Sequence, residues 1–300
     1  MATPKQIQKR KETAFKILFA APGTIIYSGI MVIPIFFSIY YSFLKWNGVG
    51  RKTFIGLKNY AALFTSNNYK IITQNTLTLV AVSFFITTTI ALIVAYLIYR
   101  TKTGFKLFRG AIFMPVILSA IIIGLIFSIL LHADMGPVNV FLKHIGLGKY
   151  AFAWLGDPRT ALGAIIVPQV WQNIGYFTII FLAGMQSIPK ELTESAEIDG
   201  ANSVIVFFKI VIPLIAEILQ IIVILVVTYS LKSFGFSWIM TKGGPGVRSS
   251  FFTVYMFTKA FLESDFGTSS TISFNILVYA IVFTLAFKWF MKRMKLIQDN

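Results

Sequence analysis

Six apolar runs, each near the length a helix needs to cross a bilayer, constrain this chain before any single residue does. They cover residues 17–43, 77–99, 111–131, 161–185, 210–231 and 272–291. A helix rises 1.5 Å per residue, so ~20 apolar residues span ~30 Å of hydrocarbon. Inside that layer the backbone must satisfy its own hydrogen bonds, and helices do so within one segment. Charged residues make up 13% of the chain, about half the share in soluble domains. The expected fold is all-α: a polytopic membrane protein with six transmembrane helices. Pro22, Pro34, Pro115 and Pro168 fall within or near the ends of runs, where neighbouring groups can re-satisfy the carbonyls that proline frees.

Composition removes several classes. There is no cysteine, so disulfides, thiolate metal sites and cysteine nucleophiles are excluded. The formal net charge is +16, which raises a nucleic-acid reading. However, Lys and Arg gather at the ends of the runs, as the positive-inside rule expects, and no nucleic-acid partner is expected. Lys5, Lys9, Arg10, Lys11 and Lys16 precede a first run longer than the apolar core of a signal peptide. It reads as an uncleaved span. The N-terminal tail, the second and fourth connections and the C-terminal tail together hold fifteen Lys and Arg against twelve in the longer remaining connections, a higher density overall. Both termini are therefore expected in the cytoplasm. The division is a tail over 1–16, a six-span domain over 17–291 and a tail over 292–300.

The external connections are then 44–76, 132–160 and 232–270. They hold turn-forming clusters: Trp46-Asn47-Gly48, Trp154-Leu155-Gly156-Asp157-Pro158 and Gly243-Gly244-Pro245-Gly246. Trp46, Trp154 and Trp238 suit an interfacial belt.

The fourth connection, 189–209, is different. Glu191, Glu194, Glu197 and Asp199 fall within nine residues, on a side where loops prefer Lys and Arg. Pro189 is tolerated in the first turn of a helix. Glu191 and Glu194 are favourable near its N-terminus. Gly200 supplies a left-handed residue that ends it. The pattern predicts helix, glycine turn, and a second helix from Ser203, with Pro213 early in the next span.

The spacing Glu194-Ser195-Ala196, Gly200, Ile210, Ile212-Pro213 resembles the EAA motif of ABC-transporter permease subunits. The string from Gln186 to Ala201 looks like the carbohydrate-importer branch. So do Ser42-Phe43-Leu44-Lys45-Trp46, Gly56-Leu57-Lys58-Asn59-Tyr60, Asn75-Thr76, Trp154-Leu155-Gly156-Asp157-Pro158, Trp171 with Gly175, and Gly243-Gly244-Pro245-Gly246. Ser195 stands where the pattern usually has Ala, and Ile212 where it has Leu. The short first external loop is similar to the glycerol-phosphate and multiple-sugar branch rather than to the maltose-type subunits with a large extra domain.

The resemblance implies a type I importer permease (MetI-like) fold in a bacterial or archaeal cell membrane. It implies a second permease subunit, expected to be a paralogue, two cytoplasmic ABC ATPase subunits and an extracytoplasmic substrate-binding protein. The 189–209 segment would be the coupling helix, with Glu191, Glu194, Ser195, Ala196, Asp199, Gly200 and Ala201 at the ATPase contact. ATP and Mg would bind the ATPase subunits, and this chain would carry no cofactor, no metal and no catalytic residue. No phosphate loop of the G-x-x-x-x-G-K-[ST] form is present.

Polar residues inside spans are candidates for the substrate path, with packing between helices as the rival. Gln172, Asn173 and Tyr176 cluster in the fourth run. Glu217 and Gln220 lie on one stripe of the fifth, and Asn275 and Tyr279 on one face of the sixth. His132 and His144 have no acid at metal or catalytic spacing. An ion-coupled secondary transporter would carry its own coupling acids, and Glu217 alone is thin for that. A membrane enzyme would need clustered His, Asp or Glu.

Overall fold

The computed structural model describes residues 4–101 and 104–293. Lys102, residues 294–300 of the C-terminal tail and the side chains of residues 4–11 lie outside what it describes. Among the described residues five helices are long and apolar enough to cross a membrane. There are six if a bent pair counts as one span. They are Phe15–Ser42, Asn67–Arg100, the pair Phe105–Ile117 and Ala120–Leu130, Ala161–Gln186, Ala216–Thr241 and Phe266–Arg293.

Three boundaries depart from the apolar runs. The second span begins at Asn67, ten residues before Leu77. Ser66 caps it by accepting from the Tyr69 N–H at 3.4 Å, and Tyr69, Ile72, Asn75 and Thr76 are buried in the bundle. Hydropathy alone misses a turn whose polar groups are satisfied by protein.

The third span is not the continuous 111–131 helix expected. It bends by 90° between Ile117 and Ala120. Leu118 and Ser119 are extended, and the Ser119 hydroxyl caps the second half by accepting from the Ile122 N–H at 3.3 Å. The break frees carbonyls, and Gln172 of the fourth span answers. Its Nε2 donates to the carbonyls of Leu118 at 2.8 Å and Pro115 at 3.3 Å. A broken helix at membrane depth survives where other protein groups re-satisfy it.

The fifth run also divides. A helix over Ser203–Leu214 ends before the span starts at Ala216, with Ile215 in a turn conformation between them. At its far end the span continues through Thr241. The stretch from 232, read as external loop, thus begins inside an apolar helical segment.

Spans two, four and five form the centre of the bundle around Phe177, Phe181, Met185 and Ile222. Close approach depends on glycine, as is usual for membrane helix pairs. A Cβ on Gly175 would lie 2.3 Å from the Ile112 carbonyl oxygen, and one on Gly184 would lie 2.4 Å from Ile218. The sixth span packs on the fifth and second through Ile272, Ile276 and Phe252. The first span is different: none of its apolar window is buried.

The connections are built, not loose. Strands Leu44–Lys45 and Thr53–Phe54 pair antiparallel. Asn59 Nδ2 donates to the carbonyls of Ser42 and Leu44. Asn75 Nδ2 donates to Val247, Arg248 and Ser250 carbonyls at 3.0–3.1 Å, so the Asn75-Thr76 pair holds the loop after Gly243-Gly244-Pro245-Gly246. Trp154 is latched into its own loop, its Nε1 donating to Asn139 Oδ1 at 2.7 Å.

Candidate coupling segment and translocation path

The helix, glycine turn, helix pattern read from the fourth connection is what the chain forms. The first helix covers Lys190–Ile198, and Pro189 stands at its N-cap, one position before the first turn. Asp199 closes the helix and Gly200 follows at φ +86°. The Ala201 N–H returns to the Ala196 carbonyl at 2.9 Å. Asn202 caps the next helix through its side chain, which accepts from the Ile205 N–H at 2.9 Å.

This turn is tied to the bundle at two points. Arg100, the last residue of the second span, forms an ion pair with Glu197. The Tyr96 hydroxyl donates to the Ser203 carbonyl at 2.7 Å, and its ring lies 4.6 Å from that of Phe207. Thr193 is buried, and Ala196 and Ala201 pack against the apolar centre of the bundle.

The helix therefore has two faces. Glu191, Glu194, Ser195, Asp199 and Gly200 are exposed. Ala196 and Ala201, also expected at the partner contact, are half-buried and seat the helix on its own bundle. Leu192 and Ile198 join the outward face, Ile198 at 86% exposure. Reading by charge passed over them, although their spacing from Glu191, Glu194 and Ser195 along a helix was legible.

The intramembrane candidates separate equally clearly. Gln172 is spent on the third-span break. Asn275 is buried, and half-buried Tyr279 stacks on Phe252 with centroids 5.5 Å apart. Glu217 lies in the first turn of the fifth-span helix, not deep in an apolar run, because the chain breaks at Ile215. There it faces the positive end of the helix dipole.

Tyr176 is half-buried and meets Tyr229 edge-on at 6.0 Å. Tyr229 itself is 51% exposed. It belongs to an exposed stripe of the fifth span that runs from Glu217 through Ile221 and Tyr229 to Lys232. Asn173 and Gln220 are half-buried to either side. Tyr229 escaped the sequence reading because an aromatic in an apolar run carries no distinguishing mark until its neighbour across the bundle is known.

Six apolar segments, a broken third span and an exposed helical turn tied to the second span define the class of a transport permease. The family model described as "Binding-protein-dependent transport system inner membrane component" matches residues 87–295. The chain belongs to that family and is an ABC transporter permease. It is 32% identical over 273 residues to the "Probable ABC transporter permease protein YurN" of Bacillus subtilis (strain 168), covering 89% of this chain and 92% of the relative. It is 30% identical over 248 residues to the "Probable starch degradation products transport system permease protein AmyD" of Thermoanaerobacterium thermosulfurigenes, covering 83% and 84%. A crystal structure of a bacterial alginate ABC transporter, in complex with alginate pentasaccharide-bound periplasmic protein, shares the fold. The TM-score is 0.80 at 22% identity, over 95% of this chain and 96% of that one. The binding-protein-dependent class, rather than an ion-coupled carrier, is what the family match shows.

Proposed function

We propose that this permease forms one half of the membrane path of a saccharide importer and that the Lys190–Ile198 helix docks on a cytoplasmic ATPase subunit. The observation that carries the reading is the outward face of that helix. It presents Glu191, Leu192, Glu194, Ser195 and Ile198 while the Arg100–Glu197 pair and the Tyr96–Ser203 hydrogen bond fix it to the second span. A rigidly held, mixed apolar and acidic face transmits motion only if something grips it. Leu192 and Ile198 offer apolar anchors, and Glu191 and Glu194 accept from basic or backbone donors.

The mechanism follows from linkage. ATP binding on the ATPase subunits closes them and moves the coupling helices. Those helices pull on the second and fifth spans, to which this turn is bonded, and the path changes its open side. ATP shifts that equilibrium only through different affinities for the two states. ATP and Mg belong to the ATPase subunits, and this chain does not hydrolyse ATP. A second permease subunit completes the path, and a binding protein delivers cargo from outside. Both termini and the 189–209 segment lie in the cytoplasm.

The saccharide cargo is supported by AmyD's described transport of starch degradation products and by the Tyr176–Tyr229 pair. Sugars stack on an aromatic face and hydrogen-bond to amides such as Asn173. The test is uptake by the complete complex in proteoliposomes. Uptake that needs ATP and the binding protein supports the reading. Uptake that runs on a proton or sodium gradient without ATP overturns it.

A further inference from the structure

We propose that Lys232 reads charge in the translocation path, so that the cargo is an anionic saccharide. The inference rests on the reading of this chain as a saccharide importer and names the substrate class of that path.

Lys232 lies in the two-helix stretch Ala216–Thr241, between a helix that ends at Leu231 and one that starts at Gly235. At 1.5 Å per residue it stands about 24 Å from Ala216, with about 13 Å still to go to Thr241. A cation within an apolar helical stretch is costly, and it persists where it faces a water-filled path, a partner or the membrane interface. Among the described residues the Lys232 ammonium has no hydrogen bond or ion pair. The acid on the same stripe, Glu217, is about 22 Å away along the helix.

The surroundings of Lys232 include polar side chains. Lys232 lines a cavity of about 330 Å³ between the first, fifth and sixth spans, within the size range of small-molecule sites. Ser38, Thr228, Thr253 and Ser273 add hydroxyls to its wall, and no carboxylate lines it. A lipid-facing lysine lays its stem along apolar surface and carries its charge to the interface. Lys232 borders a hollow lined by apolar side chains and these four hydroxyls. Tyr229, three positions earlier on the exposed stripe, holds its ring against Tyr176. The end of this helix thus carries an aromatic ring three positions before the ammonium at its C-cap. Lysine offers a compact point charge with three donors, which suits the oxygens of a carboxylate, a phosphodiester or a sulfonate.

The experiment uses the complete complex with its binding protein in proteoliposomes. ATP-dependent uptake is measured for saccharides that carry a carboxylate, a phosphodiester or a sulfonate, each against its uncharged analogue. Wild type, Lys232→Gln and Lys232→Arg are compared, with basal ATPase activity as the check on assembly. The expected result is an anionic member preferred in wild type, a loss of about tenfold to a hundredfold in Lys232→Gln with the basal ATPase kept, and recovery in Lys232→Arg. Equal or better uptake of the uncharged analogues, or an unchanged preference in Lys232→Gln, overturns the anionic cargo and leaves the importer reading intact. Absence of ATP-dependent uptake for every member overturns both.

Discussion

At the scale of single residues, the positions that decide function are those where the backbone has one solution. Gly200 sits at φ +86°, and a Cβ there would meet nothing within 4 Å. The cost of a side chain is therefore confined to the backbone, about 1 kcal/mol for Gly200→Ala. Gly200→Pro is harsher, because proline fixes φ near −65° and the turn cannot close. We expect Gly200→Ala to lower uptake partially and Gly200→Pro to abolish it while the spans remain inserted. Uptake assays beside membrane fractionation check this, and normal transport in the proline variant would sink the coupling role of the turn. Gln172 is the opposite case, a side chain that serves backbone. Gln172→Leu leaves two carbonyls at the third-span break without their donor, at about 1–3 kcal/mol for a buried acceptor. A lower unfolding temperature of the detergent-solubilised complex is the expected result. An unshifted midpoint would show that the break is held elsewhere.

At the scale of elements, the sequence was read well where one rule acted alone. The fourth connection announced its helix, turn and second helix through Pro189, Gly200 and Ser203, because helix-end chemistry is local, although the cap on the second helix, Asn202, was not read. The spans announced themselves by length. The breaks at Leu118–Ser119 and Ile215 did not, because an apolar run looks the same whether straight or bent. What permits the bend is Gln172, a residue 54 positions from Leu118. The site divides in the same way. Exposed acids on the coupling helix were legible from charge, but Ala196, Ala201, Leu192 and Ile198 needed the packing to be told apart. The loop after Phe152 gives a titratable test. Arg159 donates to the Asp157 carboxylate through its side chain, at 2.6 Å to Oδ2, and through its backbone N–H, at 2.8 Å to Oδ1. These bonds hold the Asp157 pKa down to about 2. The folded value is depressed, so the contribution is full above the unfolded value of ~3.9 and is lost as pH falls through about 2. Trp154 emission should stay constant from neutral pH to about 4 and change below it. In Asp157→Asn that change should vanish, and its persistence would assign the transition to another group.

At the scale of the whole molecule, the chain offers a clean way to measure which side each connection faces. It has no cysteine, so an introduced thiol is the sole target within this chain for a maleimide that cannot cross the membrane. Ser195 is exposed on the coupling helix, and Lys149 is exposed in the connection between the third and fourth spans. From the density of Lys and Arg we expect the first in the cytoplasm and the second outside. Neither substitution disturbs a buried contact. In intact cells Lys149→Cys should label at once and Ser195→Cys only after permeabilisation. The coupling mechanism adds a further expectation. With ATPase subunits bound, a helix gripped on its Glu194 and Ser195 face is shielded, so Ser195→Cys in permeabilised membranes should label several-fold more slowly in the assembled complex than in the permease alone. Labelling of Ser195→Cys from outside intact cells would invert the topology and, with it, the assignment of this turn to the ATPase.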